Sequence, residues 1–160
     1  MSPKTAYITG GASGIGRAVA ETLYARGIRI AIADRNLAGA KEVCSALDSG
    51  SNQKADRSSL AVEVDVSSWE SQVDGFSAAV HQFGRIDIVI VNAGIGERVF
   101  VPNDGSQGMK FAKPDLTILD VDLTGFLYTA ALAIQQMRRQ APDREGFRGK
   151  SEHRQRGMMV

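Results

Sequence analysis

The sequence is poor in the residues that build many small sites. A single cysteine, Cys44, excludes an internal disulfide, and two histidines leave no Cys/His set for a metal ion. Charge of either sign is not in excess: 19 Lys/Arg stand against 18 Asp/Glu, a net +1, so no overall field draws the chain to nucleic acid or an anionic membrane. No apolar run approaches the ~18 residues that a membrane span needs, and no charged-then-apolar leader opens the chain. These absences predict a cytoplasmic protein with neither nucleic acid nor membrane as a partner. Disorder is excluded by the 43% hydrophobic content, and 160 residues suit one domain burying about 70% of its unfolded surface.

Glycine, by contrast, is plentiful, and its placement is informative. Thr9-Gly10-Gly11-Ala12-Ser13-Gly14-Ile15-Gly16 follows a short β-prone run, Lys4 to Ile8, and precedes Ile15, Val19, Ala20, Leu23 and Tyr24 at helical spacing. A glycine-rich strand-to-helix turn crowds backbone N–H groups around an anion, and the helix start adds about half a positive charge. Such glycines also mark ordinary βα turns. The context favours a dinucleotide phosphate cradle, because a second apolar run, Ile28 to Ala33, ends in Asp34. An acid at that strand tip is placed for the adenosine ribose of NAD and repels the 2′-phosphate of NADP. Arg35 offers a counter-charge to that phosphate and Ser13 puts no cation in the loop, so NAD is favoured over NADP.

The pattern then alternates. Leu37 to Leu47 reads as a helix carrying Val43, Cys44 and Leu47 inward, and Asp48 to Ser59 as a polar loop. Leu60 to Val66 is a third strand, followed by Ser67 or Ser68 as a helix cap and by Trp69, Val73, Phe76, Val80 and Phe83 as a core stripe ending near Gly84. Ile86 to Val91 is the most apolar strand and runs into Asn92-Ala93-Gly94. Leu116 to Arg139 is an amphipathic helix offering Leu119, Leu123, Phe126, Leu127, Ala130, Ile134 and Met137 for burial. Strands alternating with helices predict a doubly wound α/β parallel sheet. In such a sheet the strand ends converge on one crevice, so Gly10, Asp34, Asp65 and Asn92 should face one ligand. Three of the candidates have a plainer alternative: Asp65 as a helix cap, Asn92 as a turn stabiliser, Gly94 as a packing glycine. The Val99 to Met109 loop reads as a connector or as one wall of a substrate pocket.

Three segments together carry a resemblance. Thr9 to Gly16, Asp65-Val66 and Asn92-Ala93-Gly94, in this order and spacing, resemble the cofactor motifs of short-chain dehydrogenases/reductases, with a texture similar to fungal members. The resemblance spans residues 4 to about 150. It implies a partial Rossmann-type NAD(P)-binding domain over 1–150, an incomplete sheet of about four strands, and a basic unstructured tail over 151–160. It also implies an oxidoreductase acting on an alcohol or ketone, with a hint of secondary metabolism. Gly10, Ser13, Gly14, Ile15 and Gly16 would then bind the pyrophosphate, Asp34 the ribose, Asp65 and Val66 the adenine, and Asn92, Ala93 and Gly94 the nicotinamide-side ribose.

The departures are equally specific. The family transfers hydride with Ser, Tyr and Lys, the last two spaced Tyr-x-x-x-Lys. Here Tyr7, Tyr24 and Tyr128 are followed four residues on by Gly11, Ile28 and Leu132, so no candidate catalytic residue is assigned. Asp122 stands where the resemblance expects a catalytic Asn, and an ionised carboxylate cannot donate a hydrogen bond. Residues 138–160 hold seven Lys/Arg against three acids, a tail that reads as solvated chain or as a surface for acidic partners. Its end, Ser151 to Val160, lacks strand patterning, and the match stops at Lys150, as though a reading frame or exon boundary changed there. The sequence therefore predicts a truncated, catalytically impaired enzyme, or a non-catalytic dinucleotide-binding or interaction protein. Its fourth strand would have an unpaired outer edge and a tendency to self-associate.

Overall fold

The computed structural model describes residues 3–49, 58–96, 99, 113–141 and 158–159. Five strands form one parallel sheet in the order β3-β2-β1-β4-β5: β1 is Thr5–Thr9, β2 Arg29–Asp34, β3 Ser59–Glu63, β4 Ile88–Ile90 and β5 Met158–Met159. Helices α1 (Gly14–Ala25), α2 (Leu37–Ser49), α3 (Trp69–Phe83) and α4 (Gly125–Arg139) connect and cover it. Strand alternation divides the core. Ala6, Ile8, Ile30 and Ile32 point to the face covered by α1 and α2, while Tyr7, Ala31, Ala33 and Val89 point to the face covered by α3 and α4. This is the doubly wound Rossmann-type sheet that the strand–helix alternation predicts.

Local chemistry sets the boundaries. Ser68 caps α3, its side chain accepting from Ser71 N–H, and Gly84 ends the helix with φ +77°. Asp65 therefore does not cap α3. Its Oδ1 instead accepts from the N–H and hydroxyl of Ser67. Strand β3 stops at Glu63, three residues short of the predicted Val66, which leaves Val64, Asp65 and Val66 in the loop beyond the sheet. Cys44 is buried with Val43 and Leu47 on α2, as expected. Most of the predicted Asp48–Ser59 loop and nearly all of the Val99–Met109 loop lie outside the described residues, as do residues 151–157 and 160 of the tail.

Three expectations are corrected. Met158–Met159 pairs with β4 through Ile88↔Met158 and Val89↔Met159, so the tail is not wholly unstructured, nor is the outer edge of β4 wholly unpaired. Unsatisfied strand amides and carbonyls accept any extended segment that reaches them, whatever its side-chain pattern. The predicted helix over 116–139 is in fact two segments: Leu119–Thr124 is π-helical, with Gly125 N–H reaching the carbonyl of Asp120 five residues back, and α4 follows. Of the residues it offers for burial, Ala130 and Met137 are buried and the other five are not. Leu119, Leu123, Phe126, Leu127 and Ile134 are exposed, and the buried face consists of Gly125, Thr129, Ala130, Ala133 and Met137. The reason is proximity: a Cβ on Gly125 would sit 2.9 Å from Val66 Cγ2, so only small residues fit this contact. Ile15, read as part of the apolar face of α1, is likewise 76% exposed, on the loop side of the helix start.

Candidate functional site

Sheet order reverses between β1 and β4, and the carboxyl ends of the strands meet there. The glycine loop crosses this point under close steric control. Gly10 has φ +69°, and a Cβ on it would lie 2.8 Å from Ala93 Cα. A Cβ on Gly16 would lie 2.2 Å from the Gly10 carbonyl oxygen. Thr9, fully buried at the tip of β1, accepts from Asn92 N–H at 3.1 Å and Ala93 N–H at 3.2 Å and donates to the Ile90 carbonyl. Asn92 returns the link, its Nδ2 donating to the carbonyls of Thr9 and Gly10 at 3.1 and 3.2 Å. The tips of β1 and β4 are thus stitched together directly beneath the loop.

On the other side of β1, Asp34 ends β2. Its Oδ2 accepts from Ala12 N–H at 3.0 Å and its Oδ1 from Asn36 N–H at 2.8 Å. A carboxylate has about four lone-pair sites, so two remain for hydroxyl donors. Ser13 precedes α1 with an extended backbone and makes no side-chain cap, and no acid lies in the first turn. The orphan N–H groups of that turn therefore have no side-chain acceptor from the cap or the first turn, which is the arrangement an anion fills.

A cleft of about 140 Å3 joins these parts, lined by Gly10, Asp34, Arg35, Asp65, Val66, Ala93 and Gly94, together with Ala33, Val64, Ile95 and Val121. Of the predicted site residues, Ser13, Gly14, Ile15, Gly16 and Asn92 lie outside this lining, in the loop and helix start or beneath them. The hydroxyl of Ser67, opposed by partial burial, holds the Asp65 carboxyl below its ordinary value. Asp65 N–H donates to Ser71 Oγ, which fixes the loop to α3. A deeper anchor went unnoticed in the sequence. Gln72, fully buried, donates to the carbonyls of Val66 at 2.6 Å and Gly125 at 2.9 Å, and its Oε1 accepts from buried Thr129 at 2.6 Å. A glutamine within an aromatic helical stripe gives one cue to this, a polar residue at a position the helical period turns inward. Val121 also lines the cleft unforeseen, because a π-helical turn shifts residues off the 3.6 period, and so does Ile95, in the loop after β4 where no period applies.

The three tyrosines are engaged away from this cleft. Tyr7 is 1% exposed, burial pushes its phenol well above the ordinary value, and its hydroxyl has no hydrogen-bond partner among the described residues. The Tyr24 hydroxyl bonds Asp48, and Tyr128 packs edge-on against Trp69 at 5.3 Å. Asp122, on the π-helical segment, accepts from Ile95 N–H at 2.9 Å. No group of three or more His, Cys, Asp or Glu suited to a metal occurs among the described residues.

A glycine turn at the switch point, an uncapped helix start behind it and a carboxylate at the neighbouring strand tip define an α/β protein of the doubly wound, nucleotide-binding class. Within that class the chain belongs to the short chain dehydrogenase family, which residues 4–144 match. It is 34% identical over 139 residues to an NADP-dependent dehydrogenase from Phoma sp., covering 84% of this chain and 39% of that protein. To human 15-hydroxyprostaglandin dehydrogenase [NAD(+)] it is 39% identical over 95 residues, 59% of this chain and 35% of that protein. Among solved structures it resembles 3-ketoacyl-(acyl-carrier-protein) reductase from Brucella melitensis complexed with NADH, with TM-score 0.67 and 28% identity over 84% of this chain and 50% of that one. The chain spans half the length, or less, of these proteins.

Proposed function

We propose that the cleft binds a nicotinamide dinucleotide, NAD in preference to NADP, and that the protein is an oxidoreductase acting on an alcohol or ketone. The observation that carries this reading is a pair of unfilled capacities joined by the glycine loop: the uncapped start of α1 for the pyrophosphate, and, on the cleft that Gly10 also lines, the remaining lone pairs of Asp34 for the adenosine ribose. The site fits that group, because a Cβ on Gly14 would meet nothing within 4 Å, which leaves the start of α1 open, and Asp34 keeps unused lone pairs. Gly10, Ser13, Gly14, Ile15 and Gly16 would hold the pyrophosphate, Asp65 and Val66 the adenine, and Asn92, Ala93 and Gly94 the second ribose. Bound coenzyme would supply the hydride acceptor. The chain's own groups bind and orient it.

NAD is favoured because Asp34 presents a carboxylate where a 2′-phosphate would lie, while Arg35 on the same cleft offers the opposing attraction. The relatives include proteins of both specificities by name. The fungal resemblance extends the proposal to secondary metabolism. The exposed row Leu119, Leu123, Phe126, Leu127 and Ile134 supports self-association, and light scattering checks it. A second reading, dinucleotide binding without turnover by these 160 residues, is favoured by the tyrosines: Tyr7 is sealed in the core and Tyr128 is packed on Trp69. Calorimetric titration with NADH and NADPH, followed by a hydride-transfer assay over assorted alcohols, tests both. NADH uptake exceeding NADPH uptake supports the binding reading, and turnover decides between the two. No uptake of either coenzyme by folded protein refutes both.

A further inference from the structure

We propose that Asp122 sets the redox preference of the coenzyme site, holding oxidised coenzyme more tightly relative to reduced coenzyme than the same site would without its charge. This rests on the dinucleotide reading above. The glycine loop and Asp34 assign the adenosine half to the β2 side of the switch point, so the nicotinamide half belongs on the β4 side. That side of the cleft is bounded by Gly94, Ile95 and Val121, and Asp122 is the next residue along.

The carboxylate is fixed rather than waving in solvent. Its Oδ1 accepts from Ile95 N–H at 2.9 Å, and Oδ2 has no hydrogen-bond partner among the described residues. Gly94 leaves it unshielded: a Cβ there would sit 3.4 Å from Oδ1 and 3.8 Å from Oδ2, and no side chain occupies that ground. The π-helical register of Leu119–Thr124 carries Asp122 on the segment that meets the β4 loop. No cation pairs with it among the described residues.

The consequence follows from charge alone. An oxidised nicotinamide ring carries a formal positive charge and the reduced ring is neutral, while adenine, both riboses and the pyrophosphate are the same in the two forms. A carboxylate on the nicotinamide side therefore lowers the free energy of one form only. Because Asp122 is exposed, water screens the effect to the range of a surface ion pair, roughly two- to fivefold in relative affinity.

The test is calorimetric binding of NAD+, NADH and ADP-ribose to the chain and to two variants, Asp122→Asn and Asp120→Asn. Asparagine keeps an oxygen for Ile95 N–H, so Asp122→Asn removes charge without cutting that tether. The expected result is a two- to fivefold loss of NAD+ affinity with NADH and ADP-ribose unchanged, a difference that shrinks in high salt. Asp120→Asn, one charge removed on the same segment, should leave the NAD+/NADH ratio nearly untouched. An unchanged ratio in Asp122→Asn, an equal loss for all three ligands, or an equal shift in Asp120→Asn overturns the proposal. Failure of the parent chain to bind ADP-ribose, which has no nicotinamide, overturns the dinucleotide reading and this inference with it.

Discussion

Replacing Gly16 with alanine sets two effects of opposite sign against each other. Gly16 lies in the first turn of α1, and alanine in a helix is worth about 1 kcal/mol over glycine, so propensity alone predicts stabilisation. Contact predicts the reverse. The added Cβ would come within 2.2 Å of the Gly10 carbonyl oxygen and 2.6 Å of Asn92 Nδ2. The first neighbour is backbone held by the β1 tip, and the second is an amide already donating to Thr9 and Gly10, so neither yields cheaply. Overpacking of this kind costs about 1–3 kcal/mol, and loss of one of the Asn92 hydrogen bonds about 1 kcal/mol more. Set against the propensity gain, the net is about 1–3 kcal/mol of destabilisation, or about 3–10 °C in Tm for a chain of this size. Thermal unfolding followed by the fluorescence of Trp69, the sole tryptophan, measures it. Gly14→Ala is the comparison: Gly14 has φ +52° and nothing within 4 Å of a new Cβ, so it incurs only about 1 kcal/mol of backbone strain. A Gly16→Ala protein as stable as the parent, or more stable than Gly14→Ala, refutes the claim that close approach dictates this glycine.

Asp34→Asn keeps an acceptor for the Ala12 amide while removing the charge, and should raise affinity for NADPH relative to NADH about tenfold in paired titrations. Gln72→Leu removes the buried donor to the Val66 carbonyl, while the Thr129 hydroxyl and the Gly125 carbonyl keep each other. The expected cost is about 1–3 kcal/mol by urea unfolding, with a parallel loss of AMP binding because the Val66 loop loses its anchor. Burial raises the Cys44 thiol above its ordinary value, so the folded state keeps its proton where the unfolded state has lost it. Stability from this source is complete below the unfolded thiol pKa of about 8.5 and falls as pH rises above it. The urea midpoint should therefore drop between pH 8 and pH 10 by more in the parent than in Cys44→Ala, and thiol labelling should be slow until the chain is unfolded.

Much of the fold was legible because parallel strands buried on both faces write themselves as apolar runs, and β1, β2 and β4 are such runs. Helix α3 was legible from its aromatic spacing and from Ser68 and Gly84 at its ends. The helical span after residue 116 was misread for a definite reason. Apolar periodicity records which side chains avoid water somewhere, and does not say that this domain provides the cover. Leu119, Leu123, Phe126 and Leu127 carry the strongest pattern yet remain exposed, while the face that packs is made, apart from Met137, of glycine, threonine and alanine, which periodicity underweights. The π-helical turn adds a phase shift of one residue, invisible to any fixed period. The Met158–Met159 pairing was hidden likewise, since a parallel ladder is made by backbone groups common to every residue.

At the site, the choice between a structural and a ligand-binding role for Asn92 dissolves once its hydrogen bonds are counted. The amide nitrogen has two protons, and the carbonyls of Thr9 and Gly10 take both. Nothing remains on that atom to donate to a ribose hydroxyl, so a contact with the sugar has to run through Oδ1, with the hydroxyl as donor. The same side chain ties the β1 tip to the β4 tip through both of its amide protons. Asp34 shows the same division, two lone pairs on backbone amides and two left over. A carboxylate at position 92 would face two carbonyl oxygens with no proton to give, and would open the seam on which Gly10 rests. An amide is required there by what lies beneath the loop, and its orientation is set by the protein's own carbonyls.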